Sequence, residues 1–442
     1  MHTSFSKSIK FLIAALVPPL LFYGICSAQN LISAPPELSA LIDEGLSNNQ
    51  SIKQMEAQID AATERISVAG ALPDPEIGIS VLNLPVSSFR FDREAMTQKQ
   101  LTISQKIPWL SKLNLKSKTA ALNVKAQKAR LLAAELSLAR KIADSWYELG
   151  YVSKSLNINA RLTELARQIR REAEDQYVVG NGLQQNILQA AVELVSIEDE
   201  KIMLENRFKK IQDRLNGLLN RSMFVPVDPP KGLPEPVIEP ARMKLKNAAL
   251  ENNPNLSALK AEIEYSEVMI ELAKKDYLPD WKVTLAYGQR DENPAGKNFT
   301  DFFSAGVRMS LPFWHEQKQD KNLSSALSAS RAAKAAYENM ASELLSRVDV
   351  LVTELADAKS RYELYTDKLI PEAKQWARSA IDAYQVGKVD FDRMIGARIR
   401  VLRFELKAER FLYDVFQKQA AIEELVGKRI VTNEEPVKSS SW

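Results

Sequence analysis

The chain has 442 residues, 45% of them hydrophobic and 26% charged, a composition that fits a folded protein and excludes a disordered one. Lysine and arginine number 59 against 56 aspartate and glutamate, and the formal net charge of +3 gives no electrostatic case for nucleic acid as a partner. One cysteine and two histidines leave few donors for a soft-metal centre and none for a disulfide framework.

Residues 1–28 read as a secretory signal. Lys7 and Lys10 give a positive start, an apolar run follows to Ile25, and Cys26, Ser27 and Ala28 supply the small residues for cleavage near Ala28. Acylation of Cys26 is the alternative, and Ile25 argues against it because such sites take a small residue just before the cysteine. No run of 18 apolar residues follows, so no spanning helix is expected. A secreted chain of that kind is soluble, peripheral or inserted as a β-barrel.

The remainder is written twice. Asn48-Asn49 recurs as Asn252-Asn253, Pro73-Asp74 as Pro279-Asp280, Pro108 as Pro312 and Tyr177 as Tyr384, at offsets of 204, 206, 204 and 207. Two structural repeats are therefore expected, 29–224 and 241–430, joined by a proline-rich extended connector at 225–240 and followed by a flexible tail at 431–442. Each repeat reads helix, strand, loop, strand, very long helix, tight turn, helix.

In the first repeat the opening helix is expected over 36–70 and the long helix over 111–178, with Gly150 as the only glycine of the latter and no proline. In the second, the long helix spans 314–386 and is interrupted by Pro371, which should bend it or break its ladder locally. At about 1.5 Å per residue either long helix extends on the order of 100 Å. Leu138, Ile142, Trp146 and Leu149 form one stripe, so these helices want partners side by side.

The strands alternate. Trp281, Val283, Leu285 and Tyr287 share one face, and Lys282, Thr284 and Ala286 the other. Phe303, Ala305, Val307, Met309 and Leu311 oppose Ser304, Gly306, Arg308 and Ser310. In the first repeat Ile77, Ile79 and Val81 oppose Glu76, Gly78 and Ser80, and Leu101, Ile103 and Ile107 oppose Thr102, Ser104 and Lys106. A half-buried soluble sheet gives the same pattern. Strand length near that of a tilted barrel strand, long polar loops, and aromatic residues at strand ends (Trp109, Trp281, Phe313 and Trp314) favour a transmembrane barrel. Four strands cannot close one with a lumen, so the barrel must be shared between chains.

These features together resemble the outer-membrane factor family of TolC-type efflux ducts: the duplicated order of elements, Leu-Pro-Asp after each opening helix, Ile-Pro-Trp…Lys leading into the long helix, and Tyr-x-Val-Gly at the helix turns. The stretches LPDPEIGISVLNLP and QKIPWLSKLNLKSK are most similar to the branch serving heavy-metal RND pumps, the CzcC and CusC type. The resemblance implies a mainly α fold with a small β part. In it a homotrimer builds a long helical barrel plus a twelve-stranded β-barrel in outer-membrane lipid. It further implies docking to a periplasmic adaptor and an inner-membrane RND pump.

The resemblance also directs attention to the turns. Gly180 and Gly387 supply the reversal, and Val179, Gly180, Asn181, Val386, Gly387 and Lys388 are the expected adaptor-contacting tips. Tyr384 stands where relatives narrow the tunnel. Val389 replaces the basic residue often found two positions after the glycine, and Arg393 and Gly396 stand at the usual acidic positions. Asp390 and Asp392 are the candidates for an acidic periplasmic aperture, and helix capping at the turn exit is the competing reading.

Other motifs give little. His315 begins an HExxH-like run, but Gln319 stands where the second histidine is needed. Gly180 to Gly182 follow a helix, not a strand, so no nucleotide loop is expected. Met309 and Met394 read as packing residues. Arg170-Arg171 and Glu423-Glu424 read as solvated helix faces. No catalysis and no cofactor are expected. A soluble periplasmic coiled-coil adaptor is the rival reading, and it leaves the duplicated amphipathic strands unexplained.

Overall fold

The computed structural model describes residues 32–233 and 241–429, apart from 293 and 297. The expected signal with its cleavage point at Ala28, the end of the connector and the 431–442 tail lie outside the described residues.

Helix α1 (Pro36–Asn48) and α2 (Gln50–Gly70) replace the single helix expected over 36–70. Asn49 divides them. Its backbone is extended, and its side-chain oxygen accepts from the amides of Ser51 at 2.9 Å and Ile52 at 3.2 Å, so it caps α2 and ends α1 at once. In the second repeat Asn253 does the same between α5 (Arg242–Asn252) and α6 (Pro254–Lys275), accepting from Leu256 N at 3.1 Å ahead of a proline at the first helical position. The duplicated Asn-Asn is thus a duplicated helix break.

Strands β1 (Glu76–Leu82), β2 (Gln98–Ile107), β3 (Trp281–Gln289) and β4 (Phe302–Met309) form one antiparallel sheet in sequence order. The hairpins of the two repeats meet at β2 and β3, leaving β1 and β4 as open edges.

Helix α3 (Lys112–Val178) runs 67 residues without interruption, about 100 Å. Helix α4 (Gln184–Leu218) returns along it. The long helix of the second repeat begins at Gln319, after a 3-10 turn at His315–Gln317, five residues later than expected. It divides into α7 (Gln319–Leu364), one π turn (Tyr365–Leu369) and α8 (Ile370–Gln385). The wider turn lies just before Pro371, which has no amide to donate, so the expected break is met by local unwinding. Helix α9 (Phe391–Val426) closes the fold.

The expected stripe of Leu138, Ile142, Trp146 and Leu149 is buried against α1, α4 and α9 in a core that includes Leu215, Leu219 and Tyr413. A second core toward the turns gathers Ile158, Leu162, Ile197, Met394 and Ile399, and a third in the second repeat gathers Leu256, Leu344, Val348 and Ile422. Met394 is therefore a packing residue. No single globular centre is needed, because each segment of the long helices buries its own stripe.

Candidate channel wall and helix tips

The sheet sorts side chains into two faces. Cross-strand register sets Ile77, Ile103, Leu285 and Ala305 in one row and Ile79, Leu101, Tyr287 and Phe303 in the next. These large apolar groups are exposed: Ile79 is 85% accessible, Ile77 and Phe303 71% each and Val307 65%. A continuous apolar face of this kind marks contact with lipid or partner. The strands of seven to ten residues, tilted by about 40 degrees, rise about 18–25 Å, and the longest reaches the height of a barrel's apolar band. Leu110, Phe313 and Trp314 stand exposed at the end where the helices begin. Leu311 lies just past β4, also exposed.

The opposite face is small and polar. Its rows read Glu76, Ser104, Thr284, Gly306 and then Gly78, Thr102, Ala286, Ser304. Next to the helices Lys106, Lys282 and Arg308 stand side by side on three strands. The Lys282 ammonium reaches across β2 to Glu76 at 2.6 Å, passing over buried Ser104. Among the described residues no ion pair holds Lys106 or Arg308.

The strand-to-helix junction explains two sequence motifs. Lys112 and Trp109, of Ile-Pro-Trp…Lys in the first repeat, both bind Asp280 of Leu-Pro-Asp in the second. The Lys112 ammonium, 7% exposed as a residue, lies 3.0 Å from Asp280 and 3.5 Å from Asp276, and Trp109 N donates to Asp280 at 3.1 Å. Burial pushes the Asp280 carboxyl up, but the Trp109 amide and Lys112 outweigh it and hold it below the ordinary range.

At the far end the two turns share one geometry. Gly180 at φ +77° donates to Tyr177 O at 3.0 Å while Asn181 donates to Gln176 O at 2.9 Å. Gly387 at φ +71° and Lys388 repeat this with Tyr384 O at 2.9 Å and Ala383 O at 2.8 Å. Both are Schellman closures, which need a residue free to enter the left-handed region. Val178, Val179, Leu183 and Val386 project from the tips with 65% or more of their surface exposed.

Of the candidate aperture residues, Tyr384 is half-buried with its ring 5.7 Å from that of Phe391. Burial, then the nearby Glu172 charge, raises its hydroxyl pKa above the ordinary value. Asp392 is exposed and accepts from Gln189 Nε2 at 2.6 Å, a link from α9 to α4 between residues 203 apart that no local pattern signals. Asp390 stands at the capping position of α9, yet its carboxylate accepts no bond from the first turn. The capping reading therefore holds for its backbone place and not for its side chain.

Glu423 is not a solvated helix residue but fully buried, accepting from Ser33 N at 2.7 Å and Ser33 Oγ at 2.5 Å, while Glu424 pairs with Arg140 at 2.8 Å. Residues 390 apart meet there, which helix spacing cannot show. Among the described residues no helix is long and apolar enough to cross a membrane, and no group of three or more His, Cys, Asp or Glu is placed to hold a metal ion.

Comparison with known proteins agrees with this geometry. The family model described as "Outer membrane efflux protein" matches residues 41–221 and 245–428, one segment per repeat. The cobalt-zinc-cadmium resistance protein CzcC of Cupriavidus metallidurans is 19% identical over 399 residues, 90% of this chain and 91% of that one. Among solved structures, the channel CusC superposes with a TM-score of 0.76 at 14% identity, covering 96% of this chain and 99% of its own. VceC of Vibrio cholerae gives 0.74 at 18% identity, covering 91% and 97%. A sheet apolar outside and polar inside, with open edges that three copies of four strands would close into twelve, and helices long enough to line a periplasmic tunnel are what such a channel requires, and the chain belongs to the outer membrane efflux protein family.

Proposed function

We propose that this protein is the passive exit duct of a three-part export assembly, a homotrimer that takes cargo from a periplasmic adaptor and an inner-membrane RND pump. It performs no catalysis, carries no cofactor and draws its energy from the pump. The observation that carries this reading is the two-faced sheet joined directly to a helix of 67 residues, which sets an outer-membrane pore on a periplasmic tunnel. The exposed tips at Val179, Gly180, Asn181, Val386, Gly387 and Lys388 offer apolar groups and free turn edges for the adaptor. Three copies of Tyr384, Asp390 and Asp392 would form the aperture between them. The name of the CzcC relative makes cobalt, zinc and cadmium ions the first cargo to test.

The test is a bifunctional cross-linker on Asn181→Cys in cells of the native host. Recovery of an adaptor joined to this chain in the membrane fraction is expected, together with greater sensitivity to exported compounds when the gene is deleted. Recovery of this chain in the soluble periplasm, joined to the pump itself, would overturn the duct in favour of the adaptor.

A further inference from the structure

We infer that the junction of barrel and tunnel carries a cationic belt that favours anionic cargo. The inference rests on the duct reading and deepens it by naming the charge class of what passes, and it runs against bare metal cations as the preferred cargo. The belt is the row of Lys106, Lys282 and Arg308, direct neighbours in the register of β2, β3 and β4. All three lie on the face opposite the lipid-facing row of Ile103, Leu285 and Ala305, and so face the lumen. Directly opposed like charges on neighbouring strands destabilise a sheet, so packing gives no reason for the row.

The acids in reach do not cancel it. Glu76 is the one acid on the lumen face of the four strands, and Lys282 already holds it at 2.6 Å. Asp280 and Asp276 share one further cation, Lys112, which offsets one of the two. In a trimer the row together with Lys112 becomes twelve cations against nine carboxylates of Glu76, Asp276 and Asp280, three times the four and the three seen in each chain, so the belt stays net positive. A ring with low-dielectric walls focuses such a field and raises the local concentration of anions.

The test reads the local potential with a thiol placed beside the belt. Gly306 lies on the lumen face two residues from Arg308, and a Cβ built there meets no atom within 4 Å, so Gly306→Cys should fit. In the purified trimer at low salt, the thiol is reacted with anionic methanethiosulfonate ethylsulfonate and with cationic methanethiosulfonate ethyltrimethylammonium. The rate ratio is normalised to a small free thiol. A lumen potential of about one kT, modest beside the several kT that charged clefts reach, changes that ratio about sevenfold in favour of the anion. Salt at 1 M, where the Debye length is about 3 Å, should abolish most of the effect.

Lys106→Gln with Arg308→Gln removes the two cations without an ion pair and should lower the ratio several-fold. The swap Lys106→Arg with Arg308→Lys keeps the charge and should keep the ratio, which separates lost charge from a disturbed barrel. A ratio at or below that of the free thiol, or one that the glutamine pair leaves unchanged, overturns the belt. If neither reagent reaches Gly306→Cys from outside intact cells although both react in detergent, the open barrel itself is wrong and the belt falls with it.

Discussion

Leu285 is the fifth of nine residues of β3 and stands between Ile103 and Ala305 on the apolar face, which places it near the middle of the lipid-facing band. Leu285→Lys puts an ammonium at that depth. A lysine on the lipid face at the bilayer midplane costs about 2–4 kcal/mol, and three copies raise this to about 6–12 kcal/mol per barrel by the same rule. Each protomer alone should lose roughly thirty- to several-hundredfold in its folded-to-unfolded ratio. Ser304→Lys, in an adjoining row on the opposite face, meets water and should cost close to nothing by comparison. Both variants are assayed by the amount of trimer in the outer-membrane fraction and by the urea midpoint of protein refolded into lipid vesicles. Leu285→Lys should be depleted from the membrane with a lowered midpoint, and Ser304→Lys should match the parent. Equal behaviour of the two, or full tolerance of Leu285→Lys, would refute the assignment of the faces.

Three further outcomes are expected. At Gly150 an added Cβ would lie 2.4 Å from Pro230 Cγ and 2.5 Å from Tyr413 Cε1. Helix propensity favours alanine there by about 1 kcal/mol, whereas overpacking costs about 1–3 kcal/mol, so Gly150→Ala should be neutral to destabilising in a thermal melt, and a raised Tm would contradict the packing of the connector on α3. Asn49→Ala should cost about 1 kcal/mol through loss of the cap. It should speed amide exchange at Ser51 and Ile52 before that of residues further into α2.

The third concerns pH. Burial pushes the Asp144 carboxyl up to about 6, against the opposing charge of Arg140 at 3.3 Å and with a smaller push from Glu424. The folded state therefore holds this proton more tightly than the unfolded chain. Its contribution to stability is greatest below pH 4, falls as pH rises toward 6 and is level above that. The side chain keeps 33% of its surface in solvent, which reduces the change to about 1–2 kcal/mol. Asp144→Asn should flatten that part of the urea midpoint's pH profile, and an unchanged slope would contradict the assignment.

Much of the wall was legible because it depends on local period. Alternation placed Leu285 and Thr284 on opposite faces before any partner strand was known, and Gly180 and Gly387 marked their turns because a Schellman closure needs a left-handed residue. The helix breaks were harder to read. Asn49 and Asn253 end one helix and cap the next without any gap in hydrophobic pattern, so periodicity ran across them. Contacts distant in sequence left no local signal. Lys106, Lys282 and Arg308 each read simply as polar strand residues, and only the register of β2, β3 and β4 sets them in one row. Glu423 looked solvated because its partner, Ser33, comes from the other end of the chain.

Single-cysteine labelling shows whether the duct passes from the cell surface to the periplasm. Asn298, exposed in the loop between β3 and β4, and Asn181, exposed at a helix tip, lie at opposite ends of the chain's long axis. Each is changed to cysteine, and intact cells are treated with a bulky membrane-impermeant maleimide. Asn298→Cys should label at once and Asn181→Cys only after the outer membrane is permeabilised. Protection of both in intact cells, with the protein released in the soluble periplasmic fraction, would contradict it.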